Sequence, residues 1–198
     1  MTASLIQARD GVQAVVIGAS AGAVQALSAL LPPLPADYPL PVMVVVHVPP
    51  DRRNALTELF QGRCAMAVRE ADDKEPIEPG VIYFAPPDYH LLVETTAYLS
   101  LSTDEPVLHS RPSIDVLFES AADAFGPGLV GVILTGANHD GAEGLKAIGE
   151  AGGAAVVEDP ASAAASAMPE AALAAWPAAR TMSLEDIGAY LRSLGNKR

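Results

Sequence analysis

The sequence predicts an α/β fold: a three-layer, doubly wound, mostly parallel sheet of Rossmann-like type, with an antiparallel hairpin excursion. Three observations carry the parallel sheet. Short runs such as Leu40–Val46 and Leu129–Leu134 are rich in β-branched residues and apolar on both faces, which suits strands buried between helix layers. Amphipathic stretches with helical periodicity alternate with them. Glycine- and proline-rich turns mark nearly every change from one type to the other.

In chain order, Met1–Gln13 is polar and mixed, and reads as an arm before a domain spanning residues 14–198. The first strand is Ala14–Ile17. It runs into Gly18-Ala19-Ser20-Ala21-Gly22 and then a helix with Val24, Leu27, Leu30 and Leu31 on its apolar face, stopped by Pro32-Pro33. Leu40–Val46 ends at His47, and Asn54 can cap a helix carrying Leu56, Leu59 and Phe60 that Gly62 closes. Ala65–Glu70 suits another strand, and Asp72–Gly80 is a charged turn region. From Val81 to Ser102, strand-like pieces with turn signals at Pro86-Pro87-Asp88 and Thr95-Thr96 read as the hairpin excursion. Ser113 opens a helix with Ile114, Leu117, Phe118, Ala121 and Phe125 on one side. Leu129–Leu134 ends at the loop Thr135–Gly141, a helix with Leu145 and Ile148 follows, and Ala154–Val157 is the last clear strand. Pro169–Trp176 and Ser183–Leu194 complete the helices.

Composition narrows the function classes. Half of the 198 residues are hydrophobic and 18% are charged, so a substantial core is expected. The net charge of −12 repels phosphate backbones, which disfavours nucleic acid as a partner. The apolar runs are too short to span a bilayer, so no membrane insertion is expected. One cysteine, Cys64, permits no intrachain disulfide, suits a reducing cytoplasm, and reads as a half-buried thiol in a strand.

In a parallel sheet, ligands and catalytic groups gather outside the carboxyl ends of the strands. Ser20, His47 and Asp140 each follow a strand on that one rim. Gly18-Ala19-Ser20-Ala21-Gly22 fits G-x-S-x-G, which carries a serine on a tight strand-to-helix turn. A serine hydroxyl needs a base to take its proton, and a carboxylate can orient a histidine for that task. The amides that open the helix after Ala21 would face a developing oxyanion. Each residue also has a plain structural reading: a solvated serine in a glycine turn, a histidine hydrogen-bonded at a strand end, an aspartate capping the helix after Gly141. His139 is a rival base, Glu158 and Asp159 are rival acids, and His90, in the hairpin region, is expected at the surface.

These segments resemble the catalytic domain of the chemotaxis receptor methylesterase (CheB) family. The resemblance rests on Gly18–Gly22, His47-Val48-Pro49-Pro50, Arg111-Pro112-Ser113-Ile114-Asp115, Gly131–Gly136 with Asp140-Gly141, Val81–Pro87 with Asp88 and His90, and Met168-Pro169. It implies the doubly wound α/β sandwich with a hairpin. It also implies Ser20 as nucleophile, His47 as base and Asp140 as orienting acid, in hydrolysis of glutamate γ-methyl esters on the cytoplasmic helices of methyl-accepting receptors. Glutamine deamidation is implied as a related activity, with a cytoplasmic location and no metal or organic cofactor. Ala21, Gly22 and Ala137 fall in the implied substrate and oxyanion region. The sequence departs from the family pattern at Ala21, where a threonine is common, and at Ala23, where a second glycine is usual. It departs again at Ala137, the methionine of Gly-Met-Gly, with Asn138 and His139 beyond it.

The family's best-known members carry an N-terminal receiver domain, for which the residues before Ala14 are too few. Either the domain stands alone or a neighbouring domain lies outside this sequence; in both cases the isolated chain is expected to have an unblocked site, with a regulatory partner in trans for the stand-alone form. Two alternatives remain: a non-catalytic or altered-specificity module of the same family, and a nucleotide-binding Rossmann-like domain. Against the latter, Gly18–Ala23 is not G-x-G-x-x-G, and His47 stands where a ribose-binding acid would.

Overall fold

A computed structural model describes residues 11–47 and 55–196. Seven strands form one all-parallel sheet: β1 (Ala14–Ala19), β2 (Val42–Val46), β3 (Ala67–Glu70), β4 (Val81–Phe84), β7 (Leu129–Ile133), β8 (Ala154–Glu158) and β9 (Arg180–Met182), in the order β3-β4-β2-β1-β7-β8-β9. A separate antiparallel pair joins β5 (His90–Thr95) to β6 (Tyr98–Ser102). The helices are α1 (Ala23–Leu30), α2 (Ala55–Gln61), α3 (Ile114–Phe125), α4 (Ala142–Glu150), α5 (Ala167–Ala175) and α6 (Leu184–Gly195).

The two-sided apolar runs produce the three layers. Along β1, Val15, Ile17 and Ala19 point into one core with Leu27 and Leu30 of α1 and Ile187 and Leu191 of α6. Ala14 and Val16 point into the other, with Leu117 and Phe118 of α3, Leu145 and Ile148 of α4, and Leu91 of the hairpin. Such alternation buries both faces of every central strand.

Four readings of the sequence need correction. The hairpin excursion begins at His90 rather than Val81, because Val81–Phe84 is fully buried and pairs in parallel between β2 and β3. Ala154–Val157 is not the last strand. The polar three-residue β9 adds an edge beside β8, too short to show a periodicity of its own. Val24 is 46% exposed, although it falls on the apolar repeat of α1. Cys64 is half-buried, but in the turn that ends α2, where its N–H donates to Phe60 O, rather than in β3. The cap at Asn54 and the arm before Gly11 lie outside the described residues.

The fold places one rim with particular economy. From β1 the chain goes to β2 on one side and later returns to β7 on the other, so strand order reverses beside β1. A crevice opens outside the carboxyl ends of the strands at such a point. Register fixes its lining. Ala19 pairs with Val46, so Ser20 and His47 are the next residues of adjacent strands, and His47 N–H donates to Ala19 O at 3.2 Å. On the other side Gly18 pairs with Ile133, and Ser20 N–H donates to Thr135 O at 2.9 Å.

Gly18 lets α3 come close to this rim, since a Cβ there would overlap Cγ2 of Ile114, the first residue of the helix. The Gly18→Ala variant is expected to lose about 1–3 kcal/mol of stability in urea unfolding, because Ile114 is packed and β-branched and cannot swing aside. A wild-type unfolding curve would show that the approach is not tight.

Candidate active site

The serine turn is built from glycine geometry, backbone hydrogen bonds and the hydroxyl of Thr135. Gly22 has φ +87° and is the N-cap of α1, and a Cβ there would stand 2.9 Å from Ala164 Cβ and 3.0 Å from Thr135 Oγ1. Ser20 O accepts from Ala23 N–H at 3.0 Å. Thr135 Oγ1 donates to Ala21 O at 2.7 Å and accepts from Ala165 N–H at 2.8 Å. Ala165 O in turn accepts from Gly136 N–H at 3.0 Å. The small-residue stretch Ala161–Ala167 is thus pinned to the rim. Within the turn, Ser20 N–H and Ala23 N–H are committed to other carbonyls, and no hydrogen bond among the described residues engages the amides of Ala21 and Gly22.

Asp140 is fully buried, and its carboxylate collects four donors. Oδ2 accepts from His47 Nε2 at 2.7 Å and from Ile114 N–H at 2.7 Å. Oδ1 accepts from Ser113 Oγ at 2.8 Å and from Asp115 N–H at 3.1 Å. Burial alone would raise its pKa. The hydrogen bonds from His47, Ile114, Asp115 and Ser113 outweigh that and hold it below the ordinary carboxylate value. The sequence reading of Asp140 as a cap is half right. It caps α3, across the layer, rather than α4. The N-cap of α4 is Gly141, which offers no side chain, and Gly144 N–H near the start of α4 is satisfied instead by Asp115 Oδ1 at 2.7 Å. Each of the two helices therefore receives its capping carboxylate from the other's segment.

With Nε2 of His47 on a carboxylate, that nitrogen carries the proton, and Nδ1 presents a lone pair. Asn138 Nδ2 lies 3.2 Å from Nδ1, while Asn138 Oδ1 accepts Asp140 N–H at 3.2 Å. Among the described residues, the hydrogen bonds of the ring are these two, to Asp140 and Asn138.

Other candidates fall elsewhere. His90 is buried, not at the surface. Its Nδ1 accepts Ser113 N–H at 3.2 Å and its Nε2 reaches Glu105 O at 3.2 Å, so it supports the residue that supports Asp140. His139 is exposed beside Asp140 and is not among the hydrogen-bond partners found for His47. Glu158 is buried and accepts Thr135 N–H at 2.7 Å. Burial raises its pKa, partly offset by that bond, and it braces the loop after β7 rather than the base. Asp159 N–H pairs with Met182 O, and Asp159 Oδ1 accepts Ala161 N–H.

Ser20, Gly22 and His47 line one open concavity of about 570 Å³, with the apolar Val24 and Leu56 and the cationic Arg63 on its walls. Ala21 and Ala137 are exposed and are not among its lining residues. The expectation that the N-terminal arm leaves Ser20 uncovered concerns residues outside those described. Among the described residues no cluster of His, Cys, Asp and Glu is arranged to hold a metal ion, and no helix is long and apolar enough to cross a membrane.

Sequence reasoning missed Ser113, Asp115 and Asn138. The first two belong to Arg111–Asp115, whose Ser-Ile-Asp is a helix-start signal that points along the chain, while the bonds run across to Asp140. Arg111 itself holds Asp88 Oδ1 through Nε and Nη2 at 3.1 and 2.7 Å, and so ties the helix start to the hairpin entry.

A serine at a glycine-lined strand-to-helix turn, on the strand end next to a histidine bonded to a buried aspartate, is an arrangement of the kind that α/β serine hydrolases use. The comparisons with known proteins agree and narrow it. The CheB methylesterase family model matches residues 15–191, and the chain belongs to that family. A protein-glutamate methylesterase/protein-glutamine glutaminase of Bordetella parapertussis is 39% identical over 188 residues, 92% of this chain but 53% of that one. The chain thus spans about half the length of that relative. A Leptospira interrogans protein provisionally named for the same two activities is 45% identical over 175 residues, covering 88% of this chain and 91% of its own. The crystal structure of the Thermotoga maritima CheB methylesterase catalytic domain superposes with a TM-score of 0.87 at 30% identity, covering 92% of this chain and 98% of that one. The fold class, the family resemblance and the assignment to carboxylic-ester hydrolases of the protein-glutamate methylesterase type therefore hold. The nucleotide-binding alternative does not.

The buried pair Asp115 and Asp140 shares one negative region at the start of α3. Burial, set against the Gly144 N–H bond and joined by the charge of Asp140, pushes Asp115 up to about 7. A carboxyl raised in the folded state favours folding while protonated. Its contribution is full below about pH 4 and is lost as pH rises through about 7. Relative to wild type, Asp115→Asn is therefore expected to gain stability between pH 4 and 8, by on the order of a few kcal/mol in denaturant unfolding. A pH-independent difference would contradict this.

Proposed function

We propose that Ser20, His47 and Asp140 form a catalytic triad that hydrolyses glutamate γ-methyl esters on the cytoplasmic helices of chemotaxis-type receptors. The observation that carries this reading is the 2.7 Å bond from His47 Nε2 to buried Asp140, made by a histidine that register sets beside Ser20. Asp140 fixes the tautomer and stabilises the imidazolium, so Nδ1 is the basic nitrogen. Ser20 Oγ attacks the ester carbonyl while its proton passes to Nδ1. The negative charge moves to the carbonyl oxygen, where the Ala21 and Gly22 amides at the start of α1 are the available donors. Collapse expels methoxide, which takes the proton from His47 and leaves as methanol. Water then attacks the acyl-enzyme with His47 again as base, releasing the glutamate carboxylate and Ser20. The same acyl chemistry on a glutamine side chain releases ammonia, in line with the second activity in the relatives' names.

Under this proposal the catalytic domain runs from residue 14 to 198 and the site of action is cytoplasmic. The alternative of a non-catalytic module rests on one observation, the occupation of His47 Nδ1 by Asn138.

Methanol release from methylated receptor membranes separates the two. Ser20→Ala is expected to lower the rate by at least a thousandfold with the fold intact. Equal rates in variant and wild type would remove Ser20 from the chemistry.

A further inference from the structure

We infer that Asn138 is a positioning residue that latches the catalytic base, competing with Ser20 for Nδ1 of His47; the inference rests on the triad reading above. The hydrogen-bond pattern fixes the orientation of the amide. Oδ1 of Asn138 faces the N–H of Asp140, which only donates, so Nδ2 faces the ring. Nε2 of His47 faces a carboxylate, so Nδ1 is the bare nitrogen and accepts from Asn138. Attack by Ser20 requires that same lone pair, since Oγ–H must give its proton to Nδ1 as the new bond forms. In the resting site the lone pair is occupied by a donor that cannot react.

Asn138 is well placed to hold and to yield. It is half-buried at the tip of the loop between β7 and α4, next to the exposed Ala137 and His139. Its backbone neighbours are anchored on both sides, Gly136 by Ala165 and Met168, and Asp140 by the start of α3. A side-chain rotation of Asn138 therefore frees Nδ1 without moving Asp140 or the ring. The base is held in its reactive tautomer at all times, and it becomes available to Ser20 only when the amide lets go.

The test uses a serine-directed fluorophosphonate on the full chain. In that reaction the Ser20 Oγ–P bond forms, the P–F bond breaks, fluoride leaves and the proton goes to His47. The labelled serine is mapped by peptide mass spectrometry. Removing the competing donor with Asn138→Ala is expected to raise the second-order labelling rate between about two- and tenfold, the range that one net hydrogen bond supports. Asn138→Leu keeps the size of the side chain but has no N–H for Nδ1 and no charge, and is expected to be faster than wild type as well. The imidazole ¹⁵N resonance of Nδ1 should move downfield in both variants as its donor is lost. An alanine variant no faster than wild type, a leucine variant equal to wild type, or an unmoved Nδ1 resonance would overturn the latch. Ser20→Ala distinguishes the levels of failure. If it is unlabelled and inactive while the Asn138 variants are no faster, only the latch falls. If it still releases methanol, the triad falls with it.

Discussion

The carboxylate of Asp140 joins the fold to the chemistry. A fully buried charge is costly unless its oxygens are satisfied, and here they take a hydroxyl, two amides at the start of α3 and the ring of His47. Those amides are orphan donors of a helix that would otherwise begin buried and unpaired. Ser113, at the N-cap position, spends its hydroxyl on Asp140 instead of on its own helix, and His90 secures the Ser113 amide. The orientation of His47 therefore follows from helix capping and packing in the α3–α4 layer.

The sheet supplies the other half of the geometry. Parallel register puts Ser20 and His47 on neighbouring strand ends, and the turn after β1 is tied to the loop after β7 through Thr135 and braced from β8 by Glu158. The two halves meet where strand order reverses. Close approach of α3 to β1 is possible because residue 18 is glycine, which is why the helix that caps onto Asp140 reaches the rim that carries Ser20.

Much of this was legible in the sequence, for identifiable reasons. Strands such as Val42–Val46 and Leu129–Ile133 announce themselves because burial on both faces leaves no polar position. Ser20, His47 and Asp140 could be placed on one rim because a parallel sheet collects all strand ends there. What escaped were contacts between segments distant in sequence. Asp140 precedes α4 and so looks like its cap, and nothing local indicates that α3 uses it. His90 looks like a polar hairpin residue, though it is buried between Ser113 and Glu105. Val81–Phe84 was read into the hairpin because its neighbours are hairpin strands, although its pairing is with β2 and β3. Asn138 showed only as a departure from the family pattern, since its partner is a ring nitrogen 91 positions away.

The central claim, that one carboxylate both caps α3 and orients the base, is tested most directly by Asp140→Asn with unfolding and turnover measured on the same preparation. An asparagine of the same size removes the charge and turns one acceptor oxygen into an NH₂ group facing donors. The expected result is a loss of about 2–4 kcal/mol in urea unfolding together with near-complete loss of methanol release. A variant with a wild-type unfolding curve, or one that keeps turnover within a few-fold of wild type, would contradict it.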